Sequence, residues 1–233
     1  MKKPLIVALF TAGSLMSGAA FSADHGPKAE AWTAIEWSKT LKEMPQGDVQ
    51  RGADLHRNGL CMTCHGENGV APSRNAPSLA GQPVAYTYKT LLDYKSGLRN
   101  EGDGKASLMF AATQPMSEQD MADLAAFYAA QALPAPKMQV EVDADIVKLT
   151  KKGDMSRMVI ACASCHGAKG EGNGATPALA GQTRDYFVRT MLAYKEKRRT
   201  NDINEGMAQF TYKLTDEEIE ALADYYASLG QGE

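Results

Sequence analysis

The chain has 233 residues, a formal net charge of −3 and 7% aromatic residues. The mildly acidic balance argues against a nucleic-acid-binding protein. The length allows two domains of about 100 residues each behind a leader.

Residues 1–23 have the features of an export signal. Two lysines precede an apolar run from Leu5 to Leu15, and small residues follow it. That run is too short to span a bilayer. We therefore predict cleavage after Ser22 or Ala23 and a soluble periplasmic protein. A retained signal would instead leave the protein anchored at the membrane, so peripheral membrane association stays open.

Residues 24–47 form an N-terminal extension that has no counterpart in the rest of the chain. It contains the only two tryptophans, Trp32 and Trp37. Further apolar residues are loosely spaced for an amphipathic helix, namely Ile35, Leu41 and Met44. Two interpretations remain open: a helix packed on the protein's own surface, and a docking arm for a specific partner. His25 in this segment is predicted to be solvated.

An internal duplication organises the rest of the chain. Each copy has a Cys-x-x-Cys-His-Gly motif, from Cys61 and from Cys162, followed by a Pro-x-Leu-Ala-Gly-Gln run, from Pro77 and from Pro177. The predicted division is domain 1 at residues 48–132, a linker at 133–150 and domain 2 at 151–233. The prolines of the linker cannot continue a helix.

Helical patterns dominate both copies, and strand signals are nearly absent, so we predict an all-α fold of two tandem domains. The terminal helix of each copy begins at a capping motif, Ser117 with Asp120 and Thr215 with Glu218. The other predicted elements are helices at 84–96 and 185–196, short helices leading into the cysteines from about Asp48 and Lys151, close helix crossings at Gly52 and Gly153, and an extended segment at 140–143.

The Cys-x-x-Cys-His motif is typical of covalent haem attachment. Its two thiols lie one helical turn apart and can add to the two vinyl groups of one porphyrin, while the adjacent histidine reaches the iron. A four-cysteine zinc site would leave both histidines unexplained, and disulfides within each motif would be strained. We predict two covalently bound haem c groups, with Cys61, Cys64, Cys162 and Cys165 as attachment residues and His65 and His166 as iron ligands.

Each half resembles a class I cytochrome c, and the tandem pair is similar to the di-haem cytochrome c4 family. The resemblance covers residues 48–132 and 151–230 and rests on the haem motif, the Pro-x-Leu-Ala-Gly-Gln run and the tyrosine-rich final helix. It implies that the carbonyls of Pro77 and Pro177 accept a hydrogen bond from the haem-binding histidines. Such a bond would orient the imidazole and raise its basicity.

The duplication also selects the sixth iron ligands from twelve methionines. Aligning the copies pairs Met109 with Met207, whereas Met116 falls opposite Leu214. A ligand should recur in both copies, so we predict Met109 and Met207, as the resemblance also implies. Met116 is the rival for the first haem. His56 is read as a surface or capping residue, and as a replacement ligand only if Met109 fails.

These assignments predict an electron carrier and not an enzyme, because a histidine and a methionine on each iron leave no open coordination position for a substrate. The expected donor is a quinol-oxidising complex or a dehydrogenase, and the expected acceptor is a terminal oxidase. The alternative is a cytochrome subunit dedicated to a sulfur-compound-oxidising enzyme, a thiosulfate or sulfide dehydrogenase. For the basic run at 195–199 two interpretations remain open. Its side chains bind an acidic partner or the haem propionates, or the run is a solvated helix end.

Overall fold

A computed structural model describes residues 30–137 and 139–230. The signal peptide and His25 lie outside the described residues. Within them the chain is helical and has no strand, which confirms the all-α prediction. The α-helices are α1 (Ala34–Glu43), α2 (Val49–Asn58), α3 (Met62–His65), α4 (Val84–Lys95), α5 (Gly104–Thr113), α6 (Glu118–Ala129), α7 (Ala144–Lys152), α8 (Ala163–His166), α9 (Arg184–Lys195), α10 (Ala208–Thr211) and α11 (Asp216–Ser228).

The core of the first repeat forms where α2 and α4 pack on α6. The predicted capping box is present at Ser117 and Asp120, and the buried face of α6 includes Met121 and Tyr128. A Cβ atom at Gly52 would collide with the carbonyl oxygen of Asp123 on α6. The predicted close helix crossing at Gly52 is therefore confirmed.

The second repeat repeats the pairing of the long helices but differs on its N-terminal side. Helix α11 begins at the predicted Thr215–Glu218 capping box and packs against α9 and α7. The predicted short helix from Lys151 to the cysteines is wrong, because α7 ends at Lys152 and Gly153 follows at a φ of 71°. A glycine in this left-handed region ends a helix readily. The predicted helix crossing at Gly153 is thus replaced by a helix C-cap.

The linker packs along the second repeat. The Lys137 amide donates to the carbonyl of Ala227 at 2.9 Å. Beyond it, residues 139–143 form irregular structure, and the Asp143 side chain caps α7. Val142 packs on the second core. The alternating residues therefore serve core packing and helix capping, with no strand formed.

The described part of the N-terminal extension packs on the protein's own surface, as the first of the two interpretations predicted. Its helix α1 starts at a Thr33–Glu36 capping box. Trp37 is 6% exposed within the first core, and Trp32 meets it edge-on at 5.6 Å between ring centroids. Ile35, in contrast, is 83% exposed, so the apolar face is narrower than the sequence spacing suggested.

Residues 32–37, called the strap below, connect both repeats. The Trp32 indole nitrogen donates to Asp93 Oδ1 on α4 at 2.5 Å. The Trp32 carbonyl accepts from the Asn204 amide at 3.0 Å, and the Ala34 amide donates to Asn204 Oδ1 at 3.3 Å. Asp93 Oδ2 also accepts from Asn201 Nδ2 at 2.5 Å. A segment from outside the repeat therefore ties α4 to the loop before Met207.

Candidate functional site

The first Cys-x-x-Cys-His motif lies on the single turn α3, where the backbone places Cys61 and Cys64 one helical turn apart. His65 is 8% exposed, and its Nδ1 lies 3.0 Å from the carbonyl oxygen of Pro77. A carbonyl only accepts, so Nδ1 carries the proton and Nε2 keeps the lone pair that a metal requires. The contact implied by the resemblance is present.

The second motif repeats this geometry on α8. His166 is 4% exposed, and its Nδ1 lies 2.9 Å from the carbonyl oxygen of Pro177. Burial lowers the pKa of both His65 and His166, and this effect outweighs the opposing effect of the hydrogen bonds that the imidazoles donate to the proline carbonyls. Both imidazoles are therefore held neutral and in one tautomer, which is the state that ligates iron.

None of the four cysteines forms a disulfide. Cys64 and Cys165 are exposed, and Cys61 and Cys162 are half-buried. Burial raises the pKa of the Cys61 and Cys162 thiols. No group of three or more His, Cys, Asp or Glu side chains in the described part of the chain is arranged to hold a metal ion.

A reciprocal pair of glutamines joins the two sites. Gln82 accepts from the Ala178 amide at 3.0 Å and donates to the Ala178 carbonyl at 2.9 Å. Gln182 accepts from the Ser78 amide at 2.8 Å and donates to the Ser78 carbonyl at 3.0 Å. Both glutamines are buried. The glutamine that ends each Pro-x-Leu-Ala-Gly-Gln run therefore binds the start of the same run in the other repeat.

Two buried arginines occupy equivalent positions between the repeats. Arg99 lies 4.7 Å above the Tyr94 ring, and Arg199 lies 4.5 Å above the Tyr194 ring. Each arginine is 3% exposed. Arg99 pairs with Glu101 at 2.9 Å, whereas Arg199 bonds the neutral amide of Asn201 at 2.8 Å. Buried cations require an anionic partner, so this cluster favours an acidic ligand.

The two arginines also change the pKa of Tyr186, whose hydroxyl oxygen accepts a hydrogen bond from Arg99 Nη2 at 3.1 Å. Burial alone would raise the pKa of Tyr186, but the charges of Arg99 and Arg199 outweigh burial and lower the pKa to about 7. The residues of the basic run at 195–199 have different environments: Arg199 is buried in this cluster, and Arg198 is exposed. Sequence reasoning missed Arg99, although its alignment with Arg199 in the duplication was a usable signal.

The candidate sixth ligands lie on different local structures in the two repeats. Met109 lies within α5, half-buried against the first core, and Met116 packs on the same core. Met207 immediately precedes α10, and its amide donates to Asp202 Oδ2 at 2.7 Å. Leu214 is buried in the second core, as expected for an apolar counterpart of Met116.

His56 is 1% exposed, so its assignment to the surface is wrong. Its Nδ1 lies 2.9 Å from the Tyr128 hydroxyl and its Nε2 lies 3.0 Å from the Gly66 carbonyl. Both ring nitrogens therefore have partners within the protein. His56 connects α6 to the end of the first haem motif, a packing function that its position on α2 did not reveal.

The residues present fit a covalently attached haem in each repeat. Each motif offers two cysteine side chains one turn apart and a buried neutral imidazole with its Nε2 lone pair available. The buried arginines provide positive charge suited to carboxylate groups. Fold and site together define a di-haem c-type cytochrome built from two tandem helical domains.

Comparison with known proteins gives the family. The cytochrome c family model matches residues 49–130 and again residues 156–230. Cytochrome c4 of Thiocapsa roseopersicina is 34% identical over 192 residues, covering 79% of this chain and 94% of the relative. Cytochrome c4 of Stutzerimonas stutzeri is 35% identical, covering 78% and 90%. This chain belongs to the di-haem cytochrome c4 family.

Solved structures agree with this assignment. Reduced cytochrome c4 from Pseudomonas stutzeri has a TM-score of 0.66 and 32% identity, covering 78% of this chain and 99% of that one. Thiosulfate dehydrogenase (TsdBA) from Marichromatium purpuratum has a TM-score of 0.66 and 28% identity, but the match covers only 40% of that chain. A thiosulfate dehydrogenase electron acceptor from Stutzerimonas stutzeri is 32% identical over 180 residues.

The family establishes the cofactor and the class of function. The protein carries two covalent haem c groups and transfers electrons to and from redox protein partners. Across residues 30–137 and 139–230, no helix is long and apolar enough to cross a bilayer.

Proposed function

We propose that His65 and Met109 bind the iron of the first haem, and that His166 and Met207 bind the iron of the second. Cys61 and Cys64 attach the first porphyrin, and Cys162 and Cys165 attach the second. The neutral, oriented imidazoles support the proximal assignments. The recurrence of a methionine at the aligned positions 109 and 207, where Met116 has only Leu214 as its counterpart, supports the distal ones. The domain boundaries at 48–132 and 151–233 are proposed with them, supported by the two family-model matches.

Each bound haem supplies a one-electron couple at its iron. The chain's residues set the conditions for that couple. The Pro77 and Pro177 carbonyls fix the two imidazoles and raise their basicity. A neutral thioether from methionine favours the reduced iron and raises the potential relative to a second histidine. With two ligands from the protein on each iron, the chain holds no open position for a substrate, which supports a carrier over an enzyme.

The observation that carries the proposal is the double glutamine bridge between the two sites. It holds the two domains in one fixed arrangement, so an electron received at one haem can pass to the other without domain movement. We propose a periplasmic shuttle, exported by the signal at residues 1–23, that accepts electrons from a quinol-oxidising complex or a dehydrogenase and passes them to a terminal oxidase.

A second candidate is a dedicated electron acceptor for a thiosulfate-oxidising enzyme. It is favoured by the two relatives named thiosulfate dehydrogenase electron acceptors, at 32% and 30% identity. In residues 30–47, the described part of the extension, both tryptophans have partners within the chain, which does not favour a docking arm. Stopped-flow reduction of the purified holoprotein by a thiosulfate dehydrogenase and by a quinol-oxidising complex distinguishes the two donors.

The ligand set is tested by redox titration with absorbance. We expect the weak long-wavelength band of methionine-ligated ferric haem, with an intensity equivalent to two such haems. Met109→Ala and Met207→Ala should each remove half of it, whereas Met116→Ala should leave it intact. Full intensity after Met109→Ala would contradict the first assignment, and full intensity after Met207→Ala the second.

A further inference from the structure

The glutamine bridge and the proximal histidines meet at the same two peptide units. The carbonyl of Pro77 and the amide of Ser78 belong to one peptide group. His65 Nδ1 bonds that carbonyl at 3.0 Å, and Gln182 Oε1 accepts from that amide at 2.8 Å. The first imidazole is therefore one peptide group away from a side chain of the other domain.

The second repeat has the same arrangement with the domains exchanged. His166 Nδ1 bonds the Pro177 carbonyl at 2.9 Å, and Gln82 Oε1 accepts from the Ala178 amide at 3.0 Å. All four partners are buried: the two histidines are 8% and 4% exposed, and the two glutamines 4% and 5%. Hydrogen bonds in such a low-dielectric setting strengthen one another along a chain.

The direction of the effect follows from peptide electrostatics. When a glutamine oxygen accepts from the amide, electron density in that peptide group shifts toward its carbonyl oxygen. The carbonyl then becomes a better acceptor for the histidine Nδ1–H, and the imidazole becomes a more basic iron ligand. A more basic ligand stabilises the oxidised iron. Loss of the glutamine contact should therefore raise the reduction potential.

We propose that these two peptide groups couple each haem to the opposite domain, so that Gln82 tunes the potential of the second haem and Gln182 that of the first. This inference rests on the proposed proximal ligands His65 and His166, and it does not depend on which methionines bind. Gln82 and Gln182 are positioning residues, because they act through the peptide group and do not contact the haem iron.

The crossed pattern makes the proposal testable with an internal control. Gln82→Met and Gln182→Met keep the side-chain length and remove the amide. In the full holoprotein, Gln82→Met should raise the reduction constant of the second haem about two- to five-fold and leave the first unchanged, and Gln182→Met should do the reverse. At about 59 mV per ten-fold for one electron, this is a shift of about 18 to 40 mV.

Potentials are assigned to domains in Met109→Ala and Met207→Ala backgrounds, each of which shifts its own haem. A second readout is the nuclear magnetic resonance signal of the histidine Nδ1–H in the reduced protein. Gln82→Met should move the signal of His166, and Gln182→Met that of His65. Gln82→Asn and Gln182→Asn, which keep the amide on a shorter side chain, replace any variant that fails to mature with two haems.

The outcomes are separable. Shifts confined to the substituted domain, equal shifts in both haems, or no shift in either potential would overturn the proposed coupling. If Met109→Ala and Met207→Ala shift neither haem potential, the proposed distal ligands are wrong. The effects of Gln82→Met and Gln182→Met are then assigned to the two domains by the Nδ1–H signals of His65 and His166 alone. If His65→Ala or His166→Ala retains the spectrum of a six-coordinate haem in its own domain, the proximal assignment fails first.

Discussion

Replacing Trp32 with phenylalanine tests whether the strap stabilises the folded protein through its bond to Asp93. The Asp93 side chain is fully buried, and its Oδ1 accepts from the Trp32 indole nitrogen at 2.5 Å. Phenylalanine keeps a ring beside Trp37 but removes the donor. A hydrogen bond to a buried charged group contributes about 1.5–3 kcal/mol, so we expect a loss of about 2 kcal/mol in the free energy of unfolding.

For a protein of this size, a loss of about 2 kcal/mol lowers Tm by about 4–8 °C. Thermal unfolding of the holoprotein followed by far-UV circular dichroism measures it. Ile35→Ala is the matched control, because Ile35 lies on the same segment at 83% exposure and should change the free energy of unfolding by less than about 0.5 kcal/mol. If Trp32→Phe and Ile35→Ala have the same effect, the indole bond contributes nothing and the reasoning is refuted.

Two further predictions concern the first domain. Gly52→Ala places a Cβ atom against the Asp123 carbonyl oxygen, so helices α2 and α6 must move apart. We expect the free energy of unfolding measured in urea to fall by about 1–3 kcal/mol. An unchanged urea midpoint would contradict the close approach of the two helices. Burial alone would raise the pKa of Glu101, but Arg99 and Arg199 outweigh it and lower the pKa to about 2 from 4.5. A depressed carboxyl pKa adds stability that is present above pH 4.5 and is lost as the pH falls toward 2. Glu101→Gln should therefore remove up to about 3 kcal/mol of the acid dependence in that window, and an acid limb of unchanged slope would rule this out.

The features that sequence predicted well are those encoded within a few residues. The haem motifs fix the backbone of one turn, and the capping boxes at Ser117 and Thr215 fix helix starts through local hydrogen bonds. The proline–histidine contact followed from family resemblance, and both copies have it. In each case the interacting residues lie within about a dozen positions of each other in the chain, and the same contact occurs in both repeats.

The features that sequence missed depend on tertiary partners. Gln82 and Gln182 were visible as repeated residues, but their partners lie 96 and 104 positions away in the other domain. The burial of His56 depends on Tyr128, which lies 72 positions along the chain. Gly153 was misassigned because a glycine that ends a helix and a glycine that allows a helix crossing look alike in sequence. Its positive φ decides between them.

The strap also has a consequence for the order in which the protein matures. Its residues emerge first during synthesis and export, yet the Ala34–Asn204 contact joins positions 170 residues apart. A contact of such long sequence separation forms late, after the shorter-range contacts of both domains. The strap can close only on a second domain whose loop before Met207 is already in place. Its closure therefore marks a chain in which the last-synthesised domain has folded, and a chain halted before that point would leave the Trp32 carbonyl and the Ala34 amide without their Asn204 partners.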